Sequence, residues 1–308
     1  MLFRSGLTIV NIFGVNVSKF VNNLITISKL VPLALFIAIG IFFINGANFT
    51  PVFPQDIYVD GSFAQAAVLL FFAYTGFEVI AIAAEDMKNP KKNLPRAIIM
   101  CMLLVSVLYM AILAVSIGVL GTDLANTKAP VQDAFNVIVG PIGMYIVLVG
   151  TLISMGGINF AEAYYAPRVA TSMAEDGMLP SALAKRNRYN APYIAAIVTA
   201  IASVLLAWSG SFTTLAAISA VSRFTQYLPT CLAVIIFRRK WADKARSYTI
   251  PGGYLIPVIA IGTSLWMLAQ AQTNQLLWGL GGCIVILPFY YSYWKKKKAG
   301  LIKDHDEM

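Results

Sequence analysis

The chain has 308 residues, of which 58% are hydrophobic and only 12% charged, with a mean hydropathy of +0.73. A water-soluble domain of this length carries about twice that share of charge, which excludes the ordinary soluble classes. The net charge of +9 would suit nucleic acid, but the basic residues fall in alternate loops between apolar segments, which argues for a membrane and against nucleic acid.

Residues 1–19 are mixed, with Arg4, Asn11 and Asn16 interrupting a stretch too polar to span a bilayer, and are read as a cytoplasmic stub. Eight apolar segments follow, at 24–46, 62–84, 95–120, 141–166, 191–209, 212–237, 254–271 and 275–294. A hydrocarbon core about 30 Å thick needs roughly 20 apolar residues in helical form, so each segment is expected to be a transmembrane helix. The expected class is all-α and polytopic. Residues 1–308 form a single membrane domain, with helices over 20–294 and a cytoplasmic tail at 295–308.

Between the second and third segments, Asn93 is expected to cap a helix and Pro95 to sit in its first turn. The region 121–140 reads as a connection carrying only Lys128, and 172–192 as the longest basic-side loop. Basic residues cluster at Lys88 to Arg96, at Lys185 to Arg188, at Arg238 to Arg246 and in the tail from Lys295 to Lys298. The loops 47–61, 209–212 and 271–275 have none. This alternation places both chain ends in the cytoplasm, which requires an even number of spans, and eight is even. The tail lysines anchor the last span or attract anionic headgroups, and Tyr290, Tyr291, Tyr293 and Trp294 form an aromatic belt before them.

Cys101, Cys231 and Cys283 lie inside apolar segments without metal-ligand spacing, and the single histidine, His305, is in the tail. With no triad and no phosphate loop either, neither an enzyme nor a cofactor is expected.

Four ionisable side chains fall well inside the apolar segments: Lys29, Glu78, Glu162 and Arg223. Each costs about 2.5–3.5 kcal/mol at a span's centre and therefore needs a reason. Glu78 closes Tyr74-Thr-Gly-Phe-Glu78, where Gly76 invites the helix to break and to offer backbone groups near the bilayer midplane. The carboxyl is read either as a reversible proton carrier or as a hydrogen-bonded packing group. Lys29 is deep enough to be functional and long enough to snorkel. Glu162 reads as a packing or loop-anchoring group. Arg223 must have a partner that the sequence does not name. Phe71, Phe72, Tyr74 and Phe77 surround the break, where one of them would line a pocket.

Three ordered motifs carry a family resemblance. They are Phe71-Phe-Ala-Tyr-Thr-Gly-Phe-Glu78 with Ala84-Glu-Asp-Met-Lys-Asn-Pro90 and Leu94-Pro-Arg-Ala97, then Ala166-Pro-Arg-Val169 with Met173-Ala-Glu-Asp-Gly-Met-Leu-Pro180, and Gly14 through Lys29. Together they resemble the sixth, eighth and fifth spans of the amino acid–polyamine–organocation (APC) superfamily permeases. The resemblance implies a partial LeuT-like fold of inverted repeats with about eight transmembrane helices, and secondary active, proton-coupled amino-acid transport, with exchange of amino acids and amines by the complete form as the alternative.

By position, the resemblance assigns Phe72 as the aromatic that caps substrate, and Ala73, Tyr74, Thr75 and Gly76 as the unwound substrate-binding stretch. Lys29, Glu78 and Ser154 take the proton-coupling positions, with Lys29 in place of a sodium ion. The implied partners are a small-molecule amino acid, protons and the lipid bilayer of the cell membrane. The eight segments correspond to the fifth through twelfth spans, so the sequence is expected to be an N-terminally truncated permease. A separate chain supplying the first four spans would then be a partner. The rival expectation is a remnant, or a membrane interaction subunit, without transport of its own.

Overall fold

A computed structural model describes residues 19–50, 62–78, 80, 87–188, 190–242, 246 and 248–298. The expected stub up to residue 18, most of the acidic tail and the end of the second apolar segment lie outside the described residues. Regular structure among the described residues is entirely helical: α1 (Lys19–Gly40), α2 (Ser62–Ala73), α3 (Pro90–Leu120), α4 (Pro130–Val139), α5 (Pro141–Glu175), α6 (Tyr193–Trp208), α7 (Phe212–Lys240), α8 (Leu255–Gln270) and α9 (Thr273–Lys298).

All eight predicted segments contain a helix. Among the described residues, four stretches are each long and apolar enough to cross a membrane, Thr26–Phe43, Pro90–Ala125, Pro141–Glu175 and Phe212–Lys240, and a bent pair of helices would make a fifth. The others are shorter or bent. α2 stops at Ala73, α6 has 16 residues, and the chain turns through 119° between α8 and α9. Along α3, Met100, Leu103, Leu104, Val107 and Met110 are left exposed, a surface suited to lipid and costly in water.

Two expectations about helix ends need correction. α3 begins at Pro90, one turn before the expected cap, because proline presets the helical φ at a first position whose N–H has no partner to lose. Asn93 therefore sits inside the helix and donates its side-chain amide to the Lys88 carbonyl at 2.6 Å. The region 121–140 is also more than a connection, since it contains α4. Val131, Ala134, Phe135 and Ile138 recur at helical spacing and face the core, while Gly140, at φ +75°, ends the helix and Pro141 starts α5.

The chain forms two compact units. The first comprises residues 1–53, 109–209 and 288–308, and its core is Phe36, Val115, Ala134, Phe135 and Val147. Phe36 and Phe135 meet edge to face at 5.6 Å. α1 packs on α5 where Gly150 removes a side chain, and a Cβ there would come within 2.5 Å of Pro32. The second unit comprises residues 54–108 and 210–287. In it α7 packs against both α2 and α8. Its core joins Val68, Ala217 and Ala220 to Phe71 and Phe72, and the Ser222 hydroxyl donates to the Gly279 carbonyl at 3.0 Å.

Candidate functional site

The break expected at Gly76 is present. The Tyr74 and Thr75 amides donate to the carbonyls of Phe71 and Phe72 at 3.1 Å, tightening the end of α2 into a turn. The Thr75 hydroxyl also donates to Phe72, at 2.7 Å. Gly76 then takes φ +108°, a conformation that a side chain rarely adopts, and the helix does not continue.

Glu78 folds back over this turn. Its Oε2 accepts the Gly76 amide at 3.0 Å and the Tyr227 hydroxyl at 3.0 Å, while Oε1 forms an ion pair with Arg223. The carboxylate side chain is only 14% exposed, so these three donors take the place of water. Arg223 and Tyr227 are four residues apart on α7 and so share one face. Aromatic rings extend the same contact: Phe71 stacks on Phe224 at 4.7 Å, and Phe77 lies 5.7 Å from Tyr227. Phe72 stands half-buried and edge-on to Phe212 at 6.2 Å.

The second unit thus brings together Phe72, Ala73, Tyr74, Thr75, Gly76 and Glu78. Lys29 and Ser154 belong to the first unit, both half-buried, on the packed pair α1 and α5. Glu162 is exposed on α5, with no basic group within salt-bridge distance among the described residues. Sequence reasoning singled out Arg223 but missed both its partner and Tyr227. A usable signal was present. A central arginine needs an anion, and only Glu78 and Glu162 were available inside the apolar segments.

Comparison with known proteins gives this arrangement its context. The amino acid permease family model matches residues 1–293. The chain is 29% identical over 290 residues to the branched-chain amino acid permease BcaP of Bacillus subtilis (strain 168), covering 92% of this chain and 61% of that protein. It is 30% identical over 288 residues to the methylthioribose transporter of the same organism, with the same two coverages. It is also 30% identical over 301 residues to the serine/threonine exchanger SteT of that organism, covering 95% of this chain and 68% of the relative. The chain therefore spans about three-fifths of the length of the first two relatives. The matched family is one of transporters rather than enzymes, and these apolar helices are those of a multi-pass membrane protein. The chain belongs to the amino acid permease family of the APC superfamily.

Proposed function

We propose that the chain serves secondary active transport of amino acids across the cell membrane, coupled to protons, with both of its ends in the cytoplasm. The observation that carries this reading is the broken helix at Gly76, whose turn is held by a buried carboxylate with three donors. Transporters bind solutes where helices unwind, because free backbone groups near the midplane can replace a solute's water. Phe72, Ala73, Tyr74, Thr75 and Gly76 supply the substrate-binding stretch in this reading. Lys29, Glu78 and Ser154 supply the proton-coupling groups. Two of the three relatives described above are named for amino acids.

The test is uptake of labelled amino acids into proteoliposomes by the protein expressed from its complete gene. Uptake should rise with an inward proton gradient and be indifferent to sodium. A strict sodium requirement at every pH would remove Lys29 from its assigned role. No uptake of any amino acid would remove the whole reading.

A further inference from the structure

The end of α7 carries a feature unrelated to the broken helix. A cavity of about 370 Å³ opens beside it, and its lining includes the apolar Val234 and Phe237 together with Arg238, Trp241, Arg246 and Tyr248. Arg246 donates to the carbonyls of Phe237 and Trp241 at 3.2 and 3.0 Å, and Arg238 to that of Ile250 at 2.9 Å. These bonds hold Arg246 and Ile250 against the end of α7. Each uses only the Nη2 group of a guanidinium that has five N–H donors, so both arginines retain donors. Among the described residues, no carboxylate lies within salt-bridge distance of Arg238, Arg239 or Arg246. The described residues around the cavity therefore bring it positive charge.

Its level in the bilayer follows from helix length. Arg238 lies 26 residues after Phe212, roughly 39 Å along α7, beyond a hydrocarbon core of about 30 Å. Trp241, Tyr248 and Tyr254 stand near the same helix end, as aromatic residues do at the headgroup level. An occupant needs an anionic head for the arginines and an apolar body for Val234 and Phe237. We propose that this cavity is a binding site for an anionic phospholipid, with the headgroup phosphate at Arg238 and Arg246 and the upper acyl chain against Phe237.

The experiment is native mass spectrometry of the full chain, given equal amounts of phosphatidylglycerol and phosphatidylcholine with identical acyl chains. Phosphatidylglycerol should be retained in preference. Arg238→Gln and Arg246→Gln should each lower the retention ratio about fivefold, while replacing Lys295 to Lys298 by Gln should leave it nearly unchanged. Equal retention of the two lipids, or a preference lost only with the tail lysines, would overturn the site. Excess inorganic phosphate should not displace the lipid; displacement would mark a site for soluble anions and overturn the lipid assignment. Because the arginines also hold the fold, a photoreactive phosphatidylglycerol on the unmodified chain gives an independent reading. Its label should concentrate in residues 234–250, and labelling confined to the tail or spread evenly along the helices would refute the proposal.

Discussion

Two glutamates inside the apolar segments meet opposite fates. Glu162 lies on α5, a helix of 35 residues that runs on past it, and its side chain points outward. Glu78 lies just beyond the point where α2 ends, and it turns inward to three donors. An unbroken helix satisfies its own backbone and leaves a carboxylate only what neighbours offer. A broken helix has an amide to spare, and the carboxylate that captures it can be drawn under the protein surface. The difference therefore lies in the backbone around each acid as much as in the acid itself.

The largest effect should come from removing the charge opposite Glu78. Arg223→Leu leaves a buried carboxylate uncompensated and should cost about 3–5 kcal/mol, seen as a lower thermal-unfolding midpoint in detergent. Adding Glu78→Leu should recover most of that loss. If the double variant is as unstable as the single, the ion pair is not what holds α2 to α7.

Gly76→Ala should come next, at about 1–3 kcal/mol. No atom lies within 4 Å of a Cβ built on Gly76, so the cost is that of holding φ +108° and owes nothing to crowding. Gly262, inside α8, has equally open space but helical backbone, and Gly262→Ala should instead stabilise by roughly 0.5–1 kcal/mol. The same measurement on both variants separates conformation from packing; effects of the same sign would merge them again.

Tyr227→Phe removes one of the three donors and should cost about 1.5 kcal/mol, since Arg223 and the Gly76 amide remain. Glu162→Gln, at the outward-facing position, should shift stability by no more than about 0.5 kcal/mol. A drop as large as that of Tyr227→Phe would show that Glu162 has a structural partner after all, and would erase the contrast between the two acids.

The helices were legible because a membrane favours long apolar runs, and each such run contains a helix, although among the described residues only four stretches reach spanning length unbent. α4 escaped because its signal is different. Val131, Ala134, Phe135 and Ile138 mark one face of a short amphipathic helix among polar residues, where a search for long apolar runs finds nothing. The break was legible because a glycine beside polar residues in an apolar segment is a local feature. The partners of Glu78 were not, because Tyr227 is 149 residues away and only the packing of α2 on α7 brings them together. The cap at Asn93 failed for a nearer reason: two helix-starting signals lay three residues apart, and proline prevailed.

The length of α5 has a mechanical consequence. Thirty-five residues make a rod of about 52 Å. Even at a tilt of roughly 40°, the upper end of the usual range, about 40 Å of that rod stands along the bilayer normal, exceeding the hydrocarbon core by two helical turns. Its far end, where Glu175 pairs with Arg186 at 2.9 Å on an exposed surface, is therefore carried outside the lipid. Pro167 lies inside the helix eight residues before that end, and a proline there removes a backbone hydrogen bond and gives the helix a place to bend. A bend of about 20° at Pro167 would move Glu175 by roughly 4 Å, so the water-facing end has a movement of its own while the stretch packed on α1 stays in place.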